Sequence, residues 1–280
     1  EKLPWFEMGL LTPEDFQAKW ICGPKTDRKE RLPADYFRKK FTVEGSVKRA
    51  RLYVSACGVY TALINGVRLP GVMAPGTTEY EKRIYYQTYD VTELLHAAGN
   101  SGKGKGTSAE ENAACLEFHL GDGWYKGKLG FLNQTNRFGT QRRLLAQLEI
   151  IYKDGRRQTI ATDDSFLWSN DGPILYADLK DGEVYDATRI PSYGTKAVVS
   201  SFDRIPTASC GEAIGEHEEL PGRLLISPSG KKILDFGQNL AGYVKFSILG
   251  KRGQQITLKL REVLDHGECS DRTLLRSEKE

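Results

Sequence analysis

The sequence has no run of apolar residues near the roughly 18 that a membrane-crossing helix needs, so no membrane span is expected. Its first residues, EKLPWFEMGLL, lack the basic start and long apolar block of a secretory leader. Cysteine is sparse: Cys22, Cys57, Cys115, Cys210 and Cys269 are odd in number, lie far apart, and never stand as CxxC. A disulfide framework pairs its cysteines and a zinc site clusters them, so neither is expected. Reduced, mostly buried thiols point to a cytoplasmic protein, with a secreted or periplasmic setting as the alternative should residues precede Glu1.

An excess of charge of one sign is missing too. Forty basic residues against thirty-seven acidic ones leave +3, too little for a nucleic-acid-binding face. The four histidines, His96, His119, His217 and His266, show no HExxH spacing and no cysteine partner, so no transition-metal site is expected. His119 falls on the polar side of a strand and reads as a surface residue. No Ser or Cys stands in a GxSxG turn, which leaves nucleophilic catalysis without support. The Gly- and Lys-rich stretch Gly99–Ala113 does not match GxxxxGK[ST] and reads as a surface loop.

What the sequence does have is alternation with a period of two. Leu116, Phe118 and Leu120 alternate with Glu117 and His119. Leu144, Ala146, Leu148 and Ile150 alternate with Gln147 and Glu149. Val244, Phe246 and Ile248, then Ile256, Leu258 and Leu260, repeat the pattern. Short alternating runs bounded by Gly, Asn and Asp are antiparallel strands with one face buried. Helical signal is scarce. Thr12-Pro13 opens one short candidate and Val91–Gly99 another. An all-β fold with few short helices follows, and the aperiodic stretch Ser201–Arg223 is the best candidate boundary between two domains.

Two segments invite chemistry. DGEVYD brings Asp181, Glu183 and Asp186 together, but an inverting glycosidase needs two carboxyl groups about 6.5–9.5 Å apart, and nothing local specifies that. LGDGWYKGKLGF (Leu120–Phe131) ends a strand and then places Asp122, Trp124 and Tyr125 at a sheet rim. Aromatic faces and fixed acceptors are what a sugar site offers, and Asp122 also suits a hard cation. A tight turn with Trp124 packed on the sandwich explains the same residues. In DFGQN, Asp235, Gln238 and Asn239 either contact substrate or form a turn in which Gly237 takes positive φ, and the turn is preferred.

Five ordered blocks carry a family resemblance: WFEMGLL…FQAKWI, RLYVSACGVYTALINGVRL, GDGWYKGKLG, GPILYADLKDGEVYDA and LDFGQNLAGYVKF. Together they resemble the non-catalytic N-terminal half of bacterial α-L-rhamnosidases of glycoside hydrolase family 78. The resemblance implies the end of an upstream fibronectin-like domain at 1–24, and a jelly-roll (galactose-binding-like) β-sandwich at 25–205. The start of a second, concanavalin-like sandwich is implied at 206–280. In the family an (α/α)₆ barrel then hydrolyses terminal α-L-rhamnosides with inversion. Its acid-rich signature is absent here, so no catalytic residue is expected in this region. The implied partners are rhamnose-containing glycans and the barrel of the same polypeptide.

In some members the jelly roll binds rhamnose through Ca²⁺, held by an Asp-Asn pair before a Trp and by an Asn and a Pro carbonyl of a later loop. Here Asp122 matches the Asp, Gly123 replaces the Asn, and Asn170, Asp171 and Pro173 supply the later loop. The resemblance thus implies a carbohydrate site of Asp122, Trp124, Tyr125, Asn170 and Asp171, with Asp122 and Pro173 on calcium. No cofactor is required on this reading beyond that ion. The expected role is an accessory one, supporting the barrel and gathering substrate. An autonomous calcium-dependent rhamnose-binding module is the alternative.

Overall fold

Period-two alternation becomes two stacked sheets. The computed structural model describes residues 7–100 and 113–270, so most of the expected Gly99–Ala113 loop lies outside the described residues. The strands of the first part are β1 (Ile21–Cys22), β2 (Asp35–Thr42), β3 (Val47–Cys57), β4 (Val59–Ile64), β5 (Val67–Arg68), β6 (Tyr85–Asp90), β7 (Ala113–Gly121) and β8 (Arg143–Tyr152). They continue with β9 (Arg157–Ala161), β10 (Leu167–Ser169), β11 (Ile174–Asp178), β12 (Gly182–Tyr185), β13 (Thr195–Lys196), β14 (Val198–Val199) and β15 (Thr207–Ala208). Two short helices accompany them, α1 (Thr92–Asn100) and α2 (Gly123–Lys126).

One sheet has the order β14-β1-β8-β3-β6-β15, with β9 also on β8; the other has β13-β10-β2-β7-β4-β5. Successive strands cross from sheet to sheet, as β2 to β3, β3 to β4 and β7 to β8 do. This is the connectivity of a jelly-roll-type sandwich, and the all-β reading stands. Between the sheets Leu116, Phe118 and Leu120 of β7 lie opposite Ile64, Ala62 and Tyr60 of β4. They meet Leu52, Val54, Leu144, Ala146, Leu148 and Ile150 from the facing sheet in one buried cluster. Most of the interior is apolar, and burying each such side chain stabilises by about 1.5–3 kcal/mol.

The crossing from β3 to β4 is made in one residue. Gly58 sits at φ +144, and a Cβ there would lie 2.5 Å from the Gly121 carbonyl oxygen. Only glycine accepts both the angle and the approach.

The first sheet is covered on its outer face as well, which the alternation did not announce. Gln147, expected to face solvent, is fully buried. Its Oε1 accepts from Gln17 N at 2.7 Å and Ala18 N at 3.1 Å, and its Nε2 donates to the Asp15 carbonyl at 2.9 Å. Tyr86 Oη donates to the Leu10 carbonyl at 2.9 Å, while Trp20 packs with Cys57, Tyr80, Ile84, Tyr125 and Leu145. From Glu7 to Cys22, the segment expected to close an upstream domain therefore packs on and pairs with this sandwich. Its expected helix is only a 3₁₀ turn, Pro13–Asp15, closed by Leu11 N and Thr12 N donating to Asp15 Oδ2 at 2.8 Å each.

Two compact units divide the chain, Glu1–Glu216 and His217–Glu280. Residues just beyond the expected boundary at 205 still belong to the first, because β15 pairs in parallel with β6. In the second unit the hairpins β16 (Arg223–Ile226) with β17 (Lys232–Asp235), and β18 (Leu264–Asp265) with β19 (Glu268–Cys269), are the strands described. The runs Val244–Ile248 and Ile256–Leu260 form no strand there, a correction to the reading of the sequence. Most of their apolar side chains stay exposed, Phe246 at 52% and Leu260 at 58%. Alternation makes a strand only where a partner takes its hydrogen bonds and an opposing face buries its apolar side. Gly237 does take the positive φ expected of the DFGQN turn, +75, with its N–H donating to Asp235 Oδ1 at 2.9 Å.

Candidate functional site

The GDGWYKG segment folds where β7 ends, and its backbone explains its glycines. Gly123 lies at φ +52, and a Cβ there would meet Val59 N at 2.8 Å. The chain of Gly58–Val59 thus runs where the Asn that the resemblance implies at this position would need its side chain. Gly127 and Gly139 are pressed similarly, a Cβ on the first lying 2.9 Å from Asp178 Oδ2 and on the second 2.4 Å from the Tyr125 hydroxyl.

Asp122 is only 4% exposed. Its Oδ1 accepts from Arg142 Nη1 at 3.2 Å, and the same guanidinium reaches Asp35 Oδ2 through Nε at 2.9 Å and the Pro33 carbonyl through Nη2 at 2.6 Å. Trp168 Nε1 donates to the other Asp35 oxygen at 2.9 Å. Arg142 therefore ties β2, the end of β7 and the start of β8 together, and β10 joins through the indole. Burial pushes the Asp122 carboxyl above its ordinary range, and the Arg142 and Lys126 charges offset only part of that. Burial likewise pulls the Lys126 ammonium down, with Asp122 opposing. A buried pair of this kind positions more than it stabilises, because desolvation cancels much of the attraction.

The aromatic neighbours divide. Tyr125 is buried, its ring edge-on to Tyr80 at 5.1 Å and its hydroxyl accepting from Arg143 Nη1 at 3.2 Å. It is part of the packing and offers no face at the rim, contrary to its expected place in a sugar platform. Trp124 is half-buried against the Trp20–Tyr80 cluster, so part of the indole stays accessible.

In the later loop Asn170 is half-buried and Asp171 exposed. Asp171 Oδ1 accepts from Ser169 Oγ and from Ser192 N at 2.8 Å, and the Pro173 carbonyl accepts from Asp186 N at 2.8 Å. Among the described residues no hydrogen bond or ion pair joins this loop to Asp122. The residues proposed for calcium do not fit the ion. Asp122 Oδ1 is taken by a guanidinium with an ammonium nearby, the Pro173 oxygen already accepts an N–H, and Ca²⁺ wants six to eight free oxygens. Among the described residues no group of three or more His, Cys, Asp or Glu is arranged to hold a metal.

The acids of DGEVYD are engaged separately. Asp181 is held by Arg31, Lys128 and the Tyr176 hydroxyl. Asp186 accepts from Thr188 and lies 3.5 Å from Arg189, while Glu183 is exposed on β12. His119 is half-buried rather than a plain surface residue, edge-on to Tyr36 at 4.8 Å between centroids. Sequence reasoning missed Arg142, Asp35 and Lys126. Lys126 stood inside the quoted motif and was legible as its basic member, whereas nothing near Arg142 or Asp35 signals that they meet.

The chain matches the α-L-rhamnosidase N-terminal domain over residues 45–204 and the bacterial α-L-rhamnosidase concanavalin-like domain over 226–280. It is similar to an α-L-rhamnosidase of Alteromonas sp. (strain LOR), 34% identical across 94% of this chain and 29% of that protein. An α-L-rhamnosidase of Streptomyces avermitilis is also 34% identical, over 78% of this chain and 21% of that protein. Among solved structures, native α-L-rhamnosidase from Aspergillus terreus superposes with a TM-score of 0.77 at 32% identity, over 97% of this chain and 32% of that one. The Streptomyces avermitilis enzyme complexed with L-rhamnose gives 0.61 at 32% identity, over 75% and 20%. The chain spans about three-tenths of the length of the first of these relatives. A two-sheet sandwich with these blocks in this order, matched by both domain models, belongs to the bacterial α-L-rhamnosidase family, in its N-terminal β-domains.

Proposed function

We propose that this chain provides the accessory β-domains of a glycoside hydrolase that removes terminal α-L-rhamnose with inversion, and that it does not cleave glycosides itself. The partners on this reading are rhamnose-containing glycans and a catalytic barrel of the same polypeptide. The observation that carries it is the internal engagement of the buried acids of the sandwich. Asp35 and Asp122 are spent on Arg142, Asp181 on Arg31 and Lys128, and Asp178 accepts the backbone N–H groups of Lys128 and Lys180 at 2.8 Å each. A depression of about 490 Å³ contains Asp90 and Glu93, but Asp90 lies 2.8 Å from Arg51 and Glu93 faces His96. Inverting hydrolysis needs an acid and a base on opposite sides of one bond, and the buried carboxylates here are held by cations or backbone N–H groups instead.

The test is release of p-nitrophenol from p-nitrophenyl α-L-rhamnoside by the purified chain. None is expected, and turnover abolished by substituting Asp90 or Glu93 would overturn the assignment. No cofactor is required on this reading, calcium included. Among the described residues no helix is long and apolar enough to cross a membrane. We place the protein in the cytoplasm, with a secreted or periplasmic setting as the alternative, because its five cysteines are unpaired; only Cys22 and Cys57 are buried and Cys210 and Cys269 are exposed, against the expectation of mostly buried thiols.

A further inference from the structure

On the outer face of the second sheet, register sets one row of residues side by side across all six strands. Lys196 of β13 stands opposite Leu167 of β10, which stands opposite Arg38 of β2. Arg38 is followed by Glu117 of β7, Leu63 of β4 and Arg68 of β5. Residues two apart share a face of a strand, so Lys40 lies on this face as well. Lys40, Arg68 and Lys196 are exposed, and among the described residues none of them enters a hydrogen bond or ion pair. Four cations thus accompany one acid, Glu117, a surplus as large as the +3 of the entire chain. His119, two residues from Glu117, adds no charge at neutral pH, because burial holds its imidazole down to about 4.

Arg38 is half-buried at the centre of the row. Its Nε is buried without an acceptor. Among the described residues its guanidinium makes no hydrogen bond or ion pair, even to Glu117 directly opposite. Arg38 Cζ lies 3.8 Å from the centroid of the Tyr193 ring. Stacking of this kind attracts the cation and fixes its plane, but it takes none of the N–H groups. A guanidinium that has lost water and gained no hydrogen bond asks for a partner. Of its three nitrogens only Nε is sealed, so the Nη edge stays open. A stacked guanidinium with an open edge is the fork that takes a carboxylate through two parallel hydrogen bonds.

We infer that this sheet face docks an extended acidic segment of another polypeptide, with one carboxylate on the Arg38 fork and others on Lys196 and Arg68. The order of charges along the row selects that class of partner. Strands lie about 4.8 Å apart, so Arg38 stands two spacings from Lys196 and three from Arg68, with Glu117 between. A chain charged at every unit, such as a nucleic acid, sets an anion against Glu117. A peptide carries its acids apart, with neutral or basic residues between them. Docking here is independent of glycoside hydrolysis.

The test is fluorescence anisotropy of labelled probes with the full chain at low salt. The acidic probe is the peptide Glu-Ala-Glu-Ala-Lys-Ala-Glu, its neutral control has Gln at each acid, and a single-stranded oligothymidylate is the rival polyanion. Saturable binding that weakens as salt rises is expected for the acidic peptide, and none for the control. Arg38→Gln should weaken it by about ten-fold or more. Arg38→Lys should do nearly as much, because an ammonium keeps the charge and loses the fork. Should Arg38→Gln not fold, the exposed pair Arg68→Gln with Lys196→Gln gives the same direction. Lys48→Gln, an exposed position on β3 of the other sheet, removes the same charge and should leave binding unchanged. No binding of the acidic peptide, an equal loss in Lys48→Gln, or tighter binding of the oligothymidylate overturns the proposal.

Discussion

Arg142 shows how much one side chain can decide. It is 2% exposed and holds Asp35 and Asp122, residues far apart in the chain, against the carbonyl of Pro33. Arg142→Met leaves two buried carboxylates without their cation, and breaking a buried pair costs about 3–5 kcal/mol. Urea unfolding should show a loss of that size. Chelation by EDTA should leave the Tm of the native chain unchanged, because a guanidinium already neutralises Asp122. His119 gives a pH dependence. Burial first, and Arg68 second, pull its imidazole down to about 4 from the ordinary 6.5. Between those values the unfolded chain binds more protons than the folded one, so stability falls as pH drops from 6.5 toward 4. His119→Gln should flatten the denaturation midpoint across that window, and an unaltered slope would mean that other groups set it.

At the scale of the element, the end of β7 and the β3–β4 crossing form one unit. Gly58 packs on the Gly121 carbonyl, and Gly123 leaves no room for a Cβ beside Val59 N. Asn tolerates positive φ better than most residues, yet here its Cβ would meet backbone. Gly123→Asn, which introduces the Asn that the family resemblance implies here, should therefore destabilise by about 1–3 kcal/mol through overpacking. It should also gain no stabilisation from added Ca²⁺ in a thermal melt. A rise in Tm with the ion would show that the crossing yields and a metal site opens.

The molecule as a whole is unevenly built. The first unit buries alternating residues between two sheets and covers one of them again with Leu10–Trp20. The second, His217–Glu280, has short hairpins and leaves Phe246, Ile248, Ile256, Leu258 and Leu260 exposed. Segments with few buried contacts open at low free-energy cost. Limited proteolysis followed by intact mass should place the first cleavages between Arg223 and Arg261, with a resistant core ending near Glu216. Early cuts inside the strands β2, β3, β7 or β8 themselves would contradict that ranking.

Of the four alternating runs, those of β7 and β8 are strands, and they were readable because alternation is a local property. In β7, Leu116, Phe118 and Leu120 announce their face, and the ordered motifs announce the family. The glycines of GDGWYKG also announced a sharp turn, though not the reason for it. Whether an alternating run finds a partner is not local, so Val244–Ile248 read as a strand and is not one here. The same holds for burial: nothing beside Gln147 says that Gln17 and Ala18 will cover it, and nothing beside Asp122 says that Arg142 will be waiting. The order of residues determined the sheets and the kinship, since backbone hydrogen bonding and side-chain period act over a few positions. Which acid is buried, which aromatic is hidden and which ammonium lacks a partner were decided only in three dimensions, where desolvation and charge depend on groups that the chain brings together from far apart.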